Sequence, residues 1–152
     1  MFVHVAPDGL VSIVCHRSEM GQGIRSSLPV LIADELGADM ARVRIVQADG
    51  NKAYGDQNTD GSNSIRGIYE DMRRAGATAR TMLVLAAAKK LGVPASECRA
   101  EAHRVTHEGS KRALAFGELA TLAARAKVPK PEQVTLRPRA ERAFPGIAET
   151  AC

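Results

Sequence analysis

The hydrophobic positions change period several times along the chain, and each change marks an element. Phe2-Val3-His4-Val5 and Leu10-Val11-Ser12-Ile13-Val14-Cys15 are short runs rich in β-branched residues. Between them, Pro7-Asp8-Gly9 has proline to begin a turn and glycine to take positive φ, so two strands joined by a tight turn are predicted. Ile24, Leu28, Leu31, Ile32 and Leu36 then recur at helical spacing as far as Gly37. Pro29 lies inside that span; placing it in a first turn predicts a helix that begins near Ser26-Ser27. Val43-Arg44-Ile45-Val46 alternates and predicts a third strand.

From Ala48 to Gly61 the chain is polar, and a loop of that length in a small domain is more often functional than decorative. Ser62-Asn63-Ser64 offers capping side chains to the longest predicted element, a helix over Ile65 to Leu91 that Gly92 and Pro94 close. Ile65, Ile68, Tyr69, Met72, Ala79, Met82, Leu83 and Ala86 make one apolar face. In its middle, Ala75-Gly76-Ala77 has no bulk, so another element is expected to pack very close. Glu101 to His107 predicts a strand or hairpin, and Phe116 to Ala126 a last amphipathic helix. Residues 1–127 therefore read as one mixed α/β (α+β) domain, a small sheet with a long packed helix. Residues 128–152, with Pro129, Pro131 and Pro138, read as a proline-rich connector or tail.

Composition narrows the function classes. The 152 residues suffice for one domain with a real core. Aromatic residues are only 3% with no Trp, so that core must be built from Ala, Val, Leu, Ile and Met. A net charge of +4 is mildly basic, but the cations are scattered and base-stacking aromatics scarce, which argues against nucleic acid as a partner. Cys15, Cys98 and Cys152 are far apart with no Cys-x-x-Cys pair, so this chain encodes neither an iron–sulfur cluster nor a structural zinc. The longest apolar run, Met82 to Ala88, is too short to insert in a membrane, and no signal-peptide layout is present.

Four motifs invite chemistry. Gly21-Gln22-Gly23-Ile24-Arg25-Ser26 is like a dinucleotide fingerprint, but serine replaces its third glycine and His16 to Met20 separate it from the strand, so a Rossmann site is not expected. Asp56-x-Asn58-x-Asp60-Gly61 begins like a calcium loop, yet Gly67 falls where the bidentate glutamate should be. His103 and His107 lie in a β-like stretch, where a spacing of four makes no close pair. The fourth pattern is stronger. The loops Ser18-Glu19-Met20-Gly21-Gln22-Gly23 and Gly61-Ser62-Asn63-Ser64 are both small, polar and rich in N–H donors, and each leads toward a predicted helix. Side by side they would form one anion-binding cleft with two helix N-termini directed into it.

Arg17 to Gly23, Leu28-Pro29, Ala33-Asp34-Glu35-Leu36, Val43-Arg44-Ile45, Gly61-Ser62-Asn63-Ser64-Ile65-Arg66 and Arg74 to Arg80 occur in that order. This series resembles the molybdopterin-binding large subunit of the xanthine dehydrogenase and aldehyde oxidase family, in the isoquinoline 1-oxidoreductase beta-subunit branch. The resemblance runs from about Phe2 to Leu136. It implies that Met20, Gly21, Gln22 and Gly23 contact the pterin and its phosphate, and that Gly61, Ser62, Asn63 and Ser64 line the pterin. It implies molybdopterin in its cytosine dinucleotide form, with iron–sulfur clusters only on a partner small subunit. The implied activity is oxidation of aldehydes or N-heteroaromatics with water as oxygen source and a glutamate as base.

The chain departs from that family's pattern in length, in lacking the Gly-x-Gly-Glu type motif of the base, and in its ending from Phe144 to Cys152. No catalytic residue or metal ligand is therefore assigned, and neither Glu19 nor Glu35 is taken as the base; Glu19 is expected instead to be a structural hydrogen-bonding residue of its loop. The expectation is a fragment of a molybdenum hydroxylase, inactive alone, whose partners are the remaining segments of the large subunit and the small subunit. Relatives often carry an export signal that is missing here, so the compartment stays open. Two alternatives remain: a non-catalytic remnant or interaction module that keeps the fold without the cofactor, and a small phosphate-ligand binding domain.

Overall fold

In the computed structural model, residues 1–142 are described; the expected ending from Phe144 to Cys152 lies outside the described residues. Strands β1 (Val3–Val5) and β2 (Val11–Cys15) form the predicted antiparallel hairpin, with Val3 opposite Ile13 and Val5 opposite Val11. Asp8 accepts from the Leu10 N–H at 2.8 Å, which fixes the turn. Helix α1 (Ile24–Leu36) crosses over and returns the chain to β3 (Val43–Gln47), which pairs with β2 in parallel from Val11–Val43 to Cys15–Gln47. Parallel pairing requires such a crossover. Val11, Ile13 and Cys15 alternate inward from β2 and are fully buried with Leu28, Ile32 and Leu36 of α1.

Helix α2 (Tyr69–Leu91) packs along α1 and α3 and reaches the second sheet. At Gly76 a Cβ would fall on the Ile32 carbonyl oxygen and 2.9 Å from the Glu35 Cβ, so the predicted close approach is a contact between α2 and the α1 backbone. The second sheet is an antiparallel meander of β4 (Cys98–Glu101), β5 (Arg104–His107) and β6 (Arg112–Ala115), followed by α3 (Phe116–Ala124). The expected strand or hairpin at Glu101–His107 covers the last residue of β4, a turn and β5; the turn residues Ala102 and His103 both take positive φ, 46° and 66°.

His103 ties the two sheets together. Its ring Nε2 is 2.7 Å from the Gly9 carbonyl, and its Nδ1 accepts from the Asp39 N–H at 3.2 Å. Its backbone N–H donates to the Gly37 carbonyl and its carbonyl accepts from the Phe116 N–H. His107 is equally engaged, between Glu97 and Ser110 at 2.8 Å each. Both histidines are buried and hydrogen-bonded.

Two helix starts differ from expectation. α1 begins at Ile24, so Pro29 sits beyond the first turn, and Gly23 at φ 84° precedes it. α2 begins at Tyr69, with Ile68 before it and no side-chain cap. The stretch from Ile65 to Ile68 is a turn, closed by the Gly67 N–H on the Asn63 carbonyl at 2.9 Å and the Ile68 N–H on the Ile65 carbonyl at 3.1 Å. Glu70 and Asp71 in the first turn of α2 complement its dipole instead of a cap.

After α3 the chain runs extended, with short helical turns at Pro131–Gln133 and Arg139–Glu141. Val134 is buried, and the Arg137 N–H donates to the Glu35 carboxylate at 3.0 Å. The result is a mixed α/β fold of two small sheets around a long helix.

Candidate functional site

The site is built where β2 ends. Arg17 follows the strand, and its side chain is only 4% exposed. Its Nη1 donates to the Asp56 carboxylate at 2.8 Å and to the Asn58 carbonyl at 2.6 Å, drawing the long polar loop against the first one. Ser18 adds two bonds to the Gln57 carbonyl, from its N–H and its hydroxyl, both at 3.3 Å. The Thr59 hydroxyl donates to the Ser18 carbonyl at 2.7 Å. The latch sets Arg17-Ser18 against Asp56–Thr59, the residues just before each candidate quartet.

Asp56 is consequently committed to the protein. The Asn58 N–H and the Arg17 guanidinium hold its carboxyl below the usual carboxylate range, and its other oxygen accepts from that N–H at 3.0 Å. Asp56, the first acid of the calcium-like pattern, is thus taken up by the latch.

Glu19 is the central group of the first loop. Its Oε1 accepts from the N–H groups of Gly21 at 2.7 Å and Gly23 at 3.1 Å; its Oε2 accepts from the Arg25 N–H at 2.9 Å. These N–H groups, led by Arg25 and then Gly23, lower the Glu19 pKa from its ordinary value. Gln22 closes the loop from the other side, accepting from the Met20 N–H at 2.7 Å and donating to the Ser18 carbonyl at 2.9 Å. The expectation of two helix N-termini open to an anion is therefore corrected. Glu19 already occupies the start of α1, and the turn from Ile65 to Ile68 separates the second loop from α2.

Of the eight candidate residues, Met20, Gly21, Gln22, Gly61, Ser62 and Asn63 are exposed, while Gly23 and Ser64 are half-buried. A Cβ on Gly21 or Gly61 would meet nothing within 4 Å, so glycine is required there by the backbone, with φ of 96° and 50°, and an open face remains. Ser62 also takes positive φ, 56°, a conformation that costs a non-glycine residue roughly 1–2 kcal/mol. Such outliers concentrate at functional sites.

Two polar atoms lie unpaired at the root of the loops. His16 Nδ1 and Arg17 Nε are buried without a hydrogen-bond partner among the described residues. Burial first, then the Arg17 charge, lower the His16 pKa, so its imidazole is held neutral. Cys15 is a buried structural thiol whose pKa burial raises. Sequence reasoning missed Arg17 as the latch. It expected Glu19 as a structural hydrogen-bonding residue of its loop, and the three N–H groups that Glu19 accepts bear this out.

Comparison with known proteins follows this geometry. Residues 1–145 match the family described as "Molybdopterin cofactor-binding domain". The chain is 41% identical over 126 residues to the isoquinoline 1-oxidoreductase subunit beta of Brevundimonas diminuta, covering 78% of this chain and 16% of that protein. It is 34% identical over 148 residues to the membrane-bound aldehyde dehydrogenase (pyrroloquinoline-quinone) of Gluconacetobacter polyoxogenes, covering 95% and 19%. The chain thus spans less than a fifth of the length of either relative. Quinoline 2-oxidoreductase from Pseudomonas putida 86 shares the fold with a TM-score of 0.63 at 22% identity, over 81% of this chain and 16% of that one. Reconstituted CO dehydrogenase from Oligotropha carboxidovorans does so with a TM-score of 0.58 at 24% identity, over 78% and 15%.

Proposed function

Because the chain belongs to the molybdopterin cofactor-binding domain family, we propose that its two latched loops form part of the cofactor cradle of a molybdenum hydroxylase. The observation that carries this reading is the Arg17 latch. It joins the loops, leaves their glycine faces open, and buries unpaired polar atoms at their root, which a packed structural turn would not need. The donor set fits a pterin: the Ser62 and Ser64 hydroxyls and the Asn63 amide suit the hydrogen-bonding edges of a flat heterocycle. Gly21 and Gly61 allow the backbone to approach it closely. Met20, Gln22 and Gly23 complete the first wall.

Bound there, the cofactor would supply oxidation of an aldehyde or N-heteroaromatic with water as oxygen source. The contribution of this chain is to hold and orient it. Neither candidate acid is free to act as base: Glu19 accepts three loop N–H groups, and Glu35 is buried against Arg73 and Arg80. The base, the other cofactor loops and the substrate channel belong to the remaining length of the large subunit. Iron–sulfur clusters belong to a small subunit, and the cofactor is the cytosine dinucleotide form.

The test is co-expression with those segments, followed by metal analysis and mass spectrometry of the released cofactor. We expect molybdenum with a cytosine dinucleotide pterin, and a several-fold loss of both in Gln22→Ala and Ser62→Ala. Unchanged cofactor content in both variants, or release of pyrroloquinoline quinone instead, would overturn the reading. The chain alone should show no dye-linked oxidation of aldehydes or N-heterocycles.

A further inference from the structure

The first sheet stops at β1, the outer strand of the order β1-β2-β3. The Val14 N–H donates to the Phe2 carbonyl and the Ala6 N–H to the Leu10 carbonyl, both at 2.9 Å. With Val3 opposite Ile13 and Val5 opposite Val11, that alternation turns the peptide groups of Phe2, His4 and Ala6 to β2 and those of Val3 and Val5 outward. The outward N–H and C=O groups make no hydrogen bond among the described residues. Exposed edges are ordinarily blunted by charge or proline. β3, the other edge, carries Arg44, whereas Val3-His4-Val5 has no lysine, arginine, acid or proline.

The side chains show what the edge lacks. Val3 and Val5 lie on the same sheet face as Ile13 and Val11, which are fully buried, yet they are themselves only half-buried. Beside them an apolar cleft of about 230 Å³ opens, walled by Met82 and Leu83 of α2 and by Ala120 and Ala123 of α3. The helix layer thus reaches past the last strand, as it would over a strand this sheet does not have.

We propose that the outer edge of β1 and this cleft dock one extended segment from the remaining length of the large subunit. The segment adds a fourth strand through the Val3 and Val5 peptide groups and sets alternate apolar side chains into the cleft. The alanines leave room there for branched or aromatic side chains. This chain spans less than a fifth of the length of either relative, so in them the same unit is one part of a far longer chain. A second copy fits worse. Pairing through its own β1 about a twofold axis would bring its α2 and α3 to the same side of the joined sheet, where the cleft is already walled. The proposal rests on the cofactor-cradle reading only for the identity of the partner chain.

The experiment is residue-resolved hydrogen–deuterium exchange of the full 152-residue chain, alone and co-expressed with those segments. Alone, the Val3 and Val5 amides should exchange about tenfold faster than those of His4 and Ala6; in the complex all four should be protected. Val5→Pro deletes an outward donor and no bond to β2, a change that edge strands tolerate. It should leave the isolated chain folded and lower co-purification of the segments about tenfold. If Val5→Pro fails to fold, Ala124→Asp is the second variant: Ala124 is an exposed residue at the cleft, where a short carboxylate should cause the same loss. Fast Val3 and Val5 amides in the complex, failure of the wild type to associate, or unchanged co-purification in the variant that folds would overturn the proposal. So would protection in the isolated chain that grows with its concentration, the mark of two copies pairing. Molybdenum and pterin content are separate readouts, so either reading can fail without the other.

Discussion

Arg80 holds Glu35 twice with one nitrogen: Nη1 is 3.0 Å from the carboxylate Oε2 and 2.6 Å from the carbonyl oxygen of the same residue. Glu35 has a side chain 1% exposed on α1, and Arg80 reaches it from α2. Arg73 takes the other carboxylate oxygen at 2.8 Å through Nε, and Arg137 brings in the segment after α3 through its N–H. One buried carboxylate therefore joins three parts of the chain. Burial, then the Arg137 charge, lower the Arg80 pKa, yet the pair with Glu35 opposes that shift.

Removing this carboxylate should cost far more than removing a surface ion pair. Glu35→Gln leaves Arg73 and Arg80 buried without a counter-charge, which is worth about 3–5 kcal/mol. Urea unfolding should show a lower midpoint with the slope preserved. A loss below roughly 1 kcal/mol would place the cluster among weak surface pairs. Arg137→Ala should destabilise less, because Arg73 and Arg80 still neutralise Glu35.

Gly76→Ala tests the helix contact. By intrinsic propensity the change should favour α2 by about 1 kcal/mol. The added methyl would instead fall on the Ile32 carbonyl, and forcing α1 and α2 apart costs about 1–3 kcal/mol. Net destabilisation in thermal or urea unfolding is expected; a stabilised variant would mean the two helices are not in contact there.

Much of this packing was legible in the sequence. Pro7-Asp8-Gly9 specified the first hairpin, Gly37 the end of α1, and the bulk-free Ala75-Gly76-Ala77 the close helix contact. β4 and β6 were not, because Cys98–Glu101 and Arg112–Ala115 are short, largely solvated strands whose apolar period is incomplete. The start of α1 was misplaced because proline ordinarily marks a first turn, whereas the helix begins directly after Gly23 and carries Pro29 in its interior. The Glu35 cluster joins residues up to 102 positions apart, which no local pattern encodes. At the candidate site the loops were legible. Their latch was not, since Arg17 and Asp56 each look like ordinary surface charges.

Stability should fall with acidity in two stages. The His16 pKa is lowered in the folded chain, whereas the unfolded chain titrates near its ordinary value of about 6.5. Protons therefore bind the unfolded state first, and stability present at neutral pH is lost as pH falls below about 6.5. Glu19 and Asp56 are also lowered, so their contributions are present above the ordinary carboxylate range, about 4, and are lost below it. Urea midpoints measured against pH should show both declines, with the upper one removed in His16→Phe. A midpoint that rises as pH drops through 6 (roughly the histidine range) would contradict a neutral buried His16.

Ser62 should separate stability from binding. Its φ of 56° is natural for glycine and strained for serine, and nothing in the loop forces the hydroxyl to be there for packing, since Ser62 is exposed. Ser62→Gly relieves that strain while loosening the unfolded chain, so the net gain in folding stability should be up to about 1 kcal/mol. The same change deletes a hydroxyl that the cofactor reading assigns to the pterin edge. Cofactor retention in the co-expressed complex should therefore fall as sharply as in Ser62→Ala, although Ser62→Ala keeps the strain and gains no stability. If Ser62→Gly is both more stable and fully loaded, the strained serine has no part in holding the ligand. If it is less stable than wild type, the left-handed conformation was not a cost to the fold.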